Sequence, residues 1–224
     1  MKTAVVIGAN GGIGKELSNT LKNDGYNIIS VARSSDISCD LTDYNQIEQA
    51  IGEIKKLTNK VDLLVNAAGV ATYKNLSDVT NENIQEAFMV NVIAPSIFIR
   101  ELSTLMTHKD ALILTIGSGM GTIPSKGRSI YCSTKFAIRG LSLSLSEEYQ
   151  DKYPKFCLIT LGSTLTSFGP MTVEEKKKEF KKGKAYFPVE WVVNKLMEII
   201  KGKSRSDEIT LFPGEFGFGT WVKP

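Results

Sequence analysis

Tyr131 and Lys135 lie four residues apart in the segment Ser129-Ile-Tyr-Cys-Ser-Thr-Lys135, and Ser118 stands thirteen positions upstream of the tyrosine. Residues at i and i+4 are neighbours on a helix surface, so this spacing brings an ammonium to a phenol. A free phenol titrates at about 10 and neither gives nor takes a proton readily at neutral pH. An adjacent positive charge favours the phenolate and lowers that pKa toward the working range. A serine hydroxyl could then hold a carbonyl oxygen in place. The three groups suit carbonyl reduction or alcohol oxidation, with the tyrosine handling the proton and a cofactor the hydride. A Tyr–Lys pair also occurs by chance on amphipathic helices, so its weight depends on what surrounds it.

The amino end supplies the first such surroundings. Lys2 to Ile7 is a short run rich in β-branched residues, as expected of a strand buried on both faces. Gly8, Gly11, Gly12 and Gly14 follow, and then Ile13, Leu17 and Leu21 recur every four residues until Gly25 offers a C-terminal cap. Strand, glycines and helix in this order let backbone N–H groups and a helix N-terminus face a pyrophosphate. The alternation continues along the chain. Helical stretches at Tyr44–Thr58, Asn81–Met106, Tyr131 to about Lys152, and Pro188–Gly202 alternate with strands at Val61–Asn66, Ala111–Gly117, Phe156–Leu161 and Glu208–Phe212. The pattern predicts a Rossmann-like doubly wound parallel sheet in three α/β/α layers, as a single domain over residues 1–224.

With these residues in place, the chain resembles the short-chain dehydrogenase/reductase family from Thr3 to about Phe212. Gly8-x-x-x-Gly12-x-Gly14 matches the family's cofactor turn, and Asp40-Leu41 its acidic position beside the adenine. Asn66-Ala67-Ala68-Gly69 matches the segment that steadies the central sheet next to the cofactor. Asn91, Ser118, Tyr131 and Lys135 match the catalytic tetrad one by one. The resemblance implies that Tyr131 is the general acid in reduction and the general base in oxidation. It implies that Lys135 lowers the tyrosine pKa and binds the nicotinamide ribose, that Ser118 orients the substrate oxygen, and that Asn91 anchors a water of the proton relay. It also implies cofactor contacts from Asn10, Gly11 and Ile13 in the turn. Past the sixth strand, Gly162, Thr164 and Thr166 would meet the nicotinamide, although Leu161 stands where the family has proline.

Strand Asn27–Ala32 ends in Arg33-Ser34. An acidic side chain there would hold the ribose hydroxyls and repel a 2′-phosphate, whereas an arginine does the reverse. NADP(H) is therefore favoured and NAD(H) is possible; Asp36 could instead pair with Arg33 or touch the ribose. Six residues separate Arg33 from Asp40, fewer than the dozen or so of an ordinary parallel crossover. The helix between strands two and three should be missing, strand three near Ile37–Cys39 short, and the adenine pocket open.

The formal net charge of +3 suggests no nucleic-acid partner. The basic stretch Glu174–Lys184 reads as a solvated helix surface, with attraction of anionic substrates as the weaker alternative. Cys39, Cys132 and Cys157 are odd in number and not at metal-ligand spacing, and His108 is the single histidine, so no disulfide framework or metal site is expected. No signal peptide or span of about twenty apolar residues is read, and the glycine turn near Met1 leaves no room for a presequence; a cytoplasmic protein without membrane contact is expected. Ala87–Leu105 and Ile130–Tyr149 carry more apolar and small residues than one buried face needs, and the resemblance implies a homodimer or homotetramer through them. The resemblance implies that the Ile123–Ser129 loop and the Ser163–Tyr186 lid shape the substrate pocket. Ser125, Lys126 and Arg128 would add polarity to it, and Met120, Phe168 and Phe187 apolar walls. The leading expectation is an NADP(H)-dependent oxidoreductase on a small carbonyl or alcohol. The alternative is an NADP-binding redox sensor or regulatory protein with little catalysis, against which the intact tetrad argues. A nucleotide-sugar dehydratase or epimerase is disfavoured, since such relatives are longer and use a different glycine spacing.

Overall fold

The computed structural model describes residues 1–202 and 206–221. The remaining residues, 203–205 and 222–224, belong to the expected 1–224 domain but lie outside the described ones. Seven parallel strands run in the order β3-β2-β1-β4-β5-β6-β7. They are β1 Thr3–Ile7, β2 Asn27–Ala32, β3 Ile37–Ser38, β4 Leu63–Asn66, β5 Leu112–Ile116, β6 Lys155–Leu161 and β7 Glu208–Leu211. The helices are α1 Gly12–Asn23, α2 Tyr44–Leu57, α3 Asn81–Phe88, α4 Ala94–Leu102, α5 Ser129–Glu148, α6 Val173–Lys181 and α7 Val189–Lys201. This is the expected doubly wound three-layer architecture.

Side chains alternate across a strand, and β1 shows what that does in a sheet covered on both sides. Val5 and Ile7 join one core with Ile47, Ile51 and Ile54 of α2 and Phe98 of α4. Ala4 and Val6 join the other with Leu17 and Leu21 of α1 and Val192 and Leu196 of α7. Each such buried aliphatic contributes about 1.5–3 kcal/mol, so the two cores hold the strand ends in fixed register. The expected cofactor turn, the Asn66–Gly69 segment and Ser118 lie at or just past such ends, while Tyr131 and Lys135 sit on α5.

The link from β2 to β3 has only four residues and no helix. A crossover must carry the chain back by the length of the strand it returns to. Here the ladder pairs only Val31 with Ile37 and Ala32 with Ser38, so there is little length to recover. Ser35 fastens the turn, its hydroxyl lying within hydrogen-bond distance of the carbonyls of Ser30, Ala32 and Ile37. The expected omission of this helix is what the fold shows.

Between α3 and α4 the backbone widens into a π-helical turn over Met89–Ile93, so that Asn81–Leu105 forms one helical run. The sequence predicts no apolar span of about twenty residues. This run of 25 residues nonetheless contains an 18-residue window of mean hydropathy 1.3, and so reaches by length and composition alone what a membrane span would need. A buried core helix has the same composition, and Ala87, Val90, Ala94, Phe98 and Leu102 are indeed buried in the core here.

Candidate active site

A single cleft of about 2270 Å³ opens along the C-terminal edge of the sheet, from the glycine turn past β4 and β5 to the segment after β6. At one end, Gly8 takes φ +84°, and a Cβ on it would lie 2.5 Å from the Ala68 amide nitrogen. Gly8 therefore serves two purposes: it turns the chain and lets the turn pack directly on the Asn66–Gly69 segment. Gly14 lies beneath, where a Cβ would meet the Gly8 carbonyl oxygen at 2.2 Å. Gly11, Gly12 and Ile13 line the cleft at the start of α1, whose first turn has neither a side-chain cap nor an acidic residue. That leaves a helix N-terminus with donors for an anion.

Asn10 fixes the next wall. Its Nδ2 donates to the Ser34 carbonyl and to Ser34 Oγ, both at 2.8 Å, which ties the end of β2 to the glycine turn. Arg33 and Ser34 line the cleft there, opposite Asp40 and Leu41. Asp40 Oδ1 accepts from the amide and hydroxyl of Thr42. Those two bonds, and the Arg33 charge, hold its carboxyl below the usual range. Arg33 makes no ion pair among the described residues; Asp36, its suggested partner, accepts instead from the Ser30 hydroxyl.

At the far end lies Tyr131, in the first turn of α5 and 4 % exposed. Ser118, at the end of β5, shares a hydrogen bond with it. The Lys135 Nζ lies 5.8 Å from the ring centroid and donates to the Ile116 carbonyl at 3.3 Å. The expected depression of the phenol pKa is not what this geometry produces. Burial pushes Tyr131 well above its ordinary value, the neighbouring Tyr73 adds to that, and the Ser118 hydrogen bond pulls the other way. Lys135 is itself lowered to about 8 by burial. Loss of water from both groups outweighs their mutual attraction.

Asn91 sits on the π-helical turn behind the cleft wall rather than in it. Its Oδ1 accepts from the Val70 amide at 2.8 Å, and its Nδ2 donates to the Val70 carbonyl at 2.9 Å and to Thr134 Oγ1 at 3.0 Å. It thereby locks the loop after β4 onto α5. Asn66 is likewise internal: Nδ2 reaches Thr115 Oγ1 at 3.3 Å, while the buried Oδ1 has no partner. Gly14, Asn66 and Asn91 are thus framework, and the other predicted site residues line the cleft.

The segment after β6 carries Gly162, Thr164 and Thr166. Gly162 passes so close to Pro213 that a Cβ would lie 2.4 Å from its Cδ, and Thr166 closes on the turn, its Cγ2 2.6 Å from where a Gly12 Cβ would be. Leu161, in the family's proline position, pairs with Leu211 as the last residue of β6 and is buried. Phe168 lies over Tyr131 at 5.9 Å between ring centroids, and Tyr73 meets it edge-on at 5.5 Å.

Three expectations about the pocket walls need correcting. Phe187 is fully buried, stacked 4.4 Å from Trp191, and does not line the cleft. Ser125 and Lys126 do not line it either, whereas Arg128 does. Lys176, inside the stretch expected to be solvated, is only 7 % exposed and donates to the carbonyls of Thr166 and Phe168. Tyr73 and Lys176 are the functional candidates that sequence reasoning missed. Tyr73 stands in an irregular loop without periodicity, and Lys176 is one lysine in a run of them.

Comparison with known proteins follows the same lines. A family model described as short chain dehydrogenase matches residues 2–178. The 3-oxoacyl-(acyl-carrier-protein) reductase of Bos taurus is 25% identical over 194 residues, covering 80% of this chain and 82% of that one. Among solved structures, 4-hydroxyisoleucine dehydrogenase complexed with NADH superposes with a TM-score of 0.83 at 18% identity, covering 95% of this chain and 98% of that one. An alcohol dehydrogenase from the archaeon Thermococcus sibiricus complexed with 5-hydroxy-NADP gives 0.82 at 24% identity, with 95% and 97% covered. At these identities the two structures speak to the fold.

Proposed function

The chain belongs to the short chain dehydrogenase family, and we propose that it is an NADP(H)-dependent oxidoreductase acting on a small carbonyl or alcohol, with Tyr131 as general acid and base. The observation that carries this reading is the buried Tyr131–Ser118–Lys135 group at one end of a cleft whose other end is an uncapped helix start behind a glycine turn. A solved neighbour with NADH and another with a hydroxylated NADP support a nicotinamide in such a cleft. Bound there, the nicotinamide would supply or accept the hydride.

The side chains do the rest. Ser118 positions the substrate oxygen and Tyr131, neutral because it is buried, delivers a proton to that oxygen as charge builds on it. Lys135, still protonated at pH 7 with a pKa of about 8, steadies the phenolate left behind. Asn91 acts through the Val70 loop and Thr134 that it clamps. Phe168 and Thr166 exclude water from above. Arg33, which makes no ion pair among the described residues, and the Ser34 hydroxyl favour the 2′-phosphate of NADP(H).

Tyr131→Phe should lower kcat by about 1,000-fold while leaving NADPH affinity within about threefold. Retained turnover in that variant would sink the assignment. Fluorescence titration should show tighter binding of NADPH than NADH, and Arg33→Asp should remove the difference; equal affinities in the wild type would mean that Arg33 is only a solvated charge. Self-association of the chain through α4 and α5 is part of the same proposal.

A further inference from the structure

The cleft holds a cation that the proposed proton transfer does not use. Arg128 caps the start of α5, three residues before Tyr131, and lines the cleft beside it. Its guanidinium carbon lies 4.4 Å from the centroid of the Tyr73 ring, and that ring meets Tyr131 edge-on. A guanidinium held over a ring at this distance can stack by its flat face, which leaves its in-plane N–H donors to form a fork around two oxygens. Among the described residues its side chain donates from Nη1 to Met120 Sδ at 4.0 Å, and a thioether is a weak acceptor.

No carboxylate forms an ion pair with Arg128 among the described residues. The acids that share the cleft are committed or distant in kind: Asp40 belongs to Thr42 at the adenine end, and Glu82, Glu86 and Glu215 are solvent-exposed. Lys74 and Lys184 add positive charge to the same cleft. The Arg128 charge acts on both Tyr131 and Tyr73, favouring the ionised form of each. The Cys132 amide donates to the Arg128 carbonyl at 2.8 Å, so the backbones of Arg128 and Tyr131 belong to one turn, and the Tyr73 ring lies under the guanidinium.

We propose that Arg128 is the subsite for a carboxylate on the substrate, so that the carbonyl compound reduced at Tyr131 is a short oxo acid rather than a neutral ketone. This rests on the oxidoreductase reading above. A guanidinium fork meets the two oxygens of a carboxylate in a bidentate pair and needs no second cation to do so. Tyr73 carries the guanidinium and orients it. Met120 and Ile123 supply the apolar wall for the carbon chain between the two ends.

The test is steady-state reduction of matched pairs, acetoacetate with methyl acetoacetate and levulinate with methyl levulinate, at saturating NADPH. Wild type is compared with Arg128→Gln and Arg128→Lys, each first checked for its melting temperature. The wild type should favour the acids. Arg128→Gln should lower kcat/KM for the acids by about 30-fold, mainly through KM, and change the esters by less than about threefold; lysine should recover part of the loss. Equal losses on acid and ester, or a wild type that prefers esters, would overturn the carboxylate subsite and leave the oxidoreductase reading standing. Should no probe turn over, levulinate binding to the NADPH complex is read by fluorescence. Binding lost in Arg128→Gln supports the subsite, and no binding to the wild type overturns it. Binding of neither NADPH nor NADH would overturn the oxidoreductase reading instead.

Discussion

Burial acts on Tyr131 and Lys135 in opposite chemical directions but toward one end, an uncharged pair. It raises the phenol and lowers the ammonium, the latter to about 8 from an ordinary 10.5. For Lys135 the consequence is a stability that depends on pH. Between the two values the unfolded chain holds a proton that the folded chain has shed, so the native state gains stability as pH rises from about 8 toward 10 and loses it again as pH falls through 8. Lys135→Met removes that dependence. The melting temperature of the wild type minus that of the variant should therefore be flat from pH 6 to 7.5 and climb between pH 8 and 10. Lys176, also lowered by burial, is common to both proteins and cancels. A difference that stays constant to pH 10 would mean that Lys135 keeps its water and its charge. The identities of Tyr131, Lys135 and Ser118 were legible because their spacing is itself chemical information. The direction of the tyrosine shift was not, because desolvation depends on Phe168 and Tyr73, and these arrive from distant segments.

The elements that could be counted were the ones that could be read. Six residues between Arg33 and Asp40 leave no room for a helix, and the two-residue β3 is the result. The lid helix α6 shows the opposite case. Its capping box, with Thr172 and Glu175 bonding reciprocally, is written in the sequence, yet nothing in the run Glu174–Lys182 marks which lysine turns inward. Only the fold decides, because Lys176 is the one whose stem meets the carbonyls of Thr166 and Phe168. Those carbonyls belong to the residues that close over Gly12 and Tyr131. Lys176 is accordingly a positioning residue for the lid. Lys176→Met removes the Nζ donor from the buried Thr166 carbonyl and the half-buried Phe168 carbonyl, and we expect NADPH to dissociate about tenfold faster. Limited proteolysis between residues 163 and 186 should accelerate alongside, with the rest of the chain as resistant as before. Unchanged release and unchanged cleavage would place the lid's stability elsewhere, in its contacts with the 217–221 segment.

At the scale of the whole molecule, the doubly wound sheet was legible from the alternation of apolar runs, since each must be covered on both faces. What the sequence could not separate was burial within one chain from burial between two. Ala87–Leu105 carries apolar residues in plenty, and the fold consumes many of them, with Phe98, Ile99 and Leu102 packed against the sheet. Helix α5 is different. Tyr131, Thr134, Lys135, Ile138 and Ser142 face inward, but Phe136 stays 45 % exposed on its outer surface beside the exposed Gly140. A large aromatic next to a residue without a side chain is a shape that a second helix can meet closely, and an exposed phenylalanine has a surface that water covers poorly. Under the self-association proposal, α5 of one copy would lie along α5 of another, related by a twofold axis that sets Phe136 near its own counterpart. A charge at that position would meet its own image. Phe136→Glu should therefore shift the mass measured by light scattering from that of a dimer to that of a monomer. Tyr131 faces the other side of the helix, so NADPH affinity should change little. A wild type already monomeric at tens of micromolar would remove the proposal, and a variant that remains dimeric would move the interface away from α5.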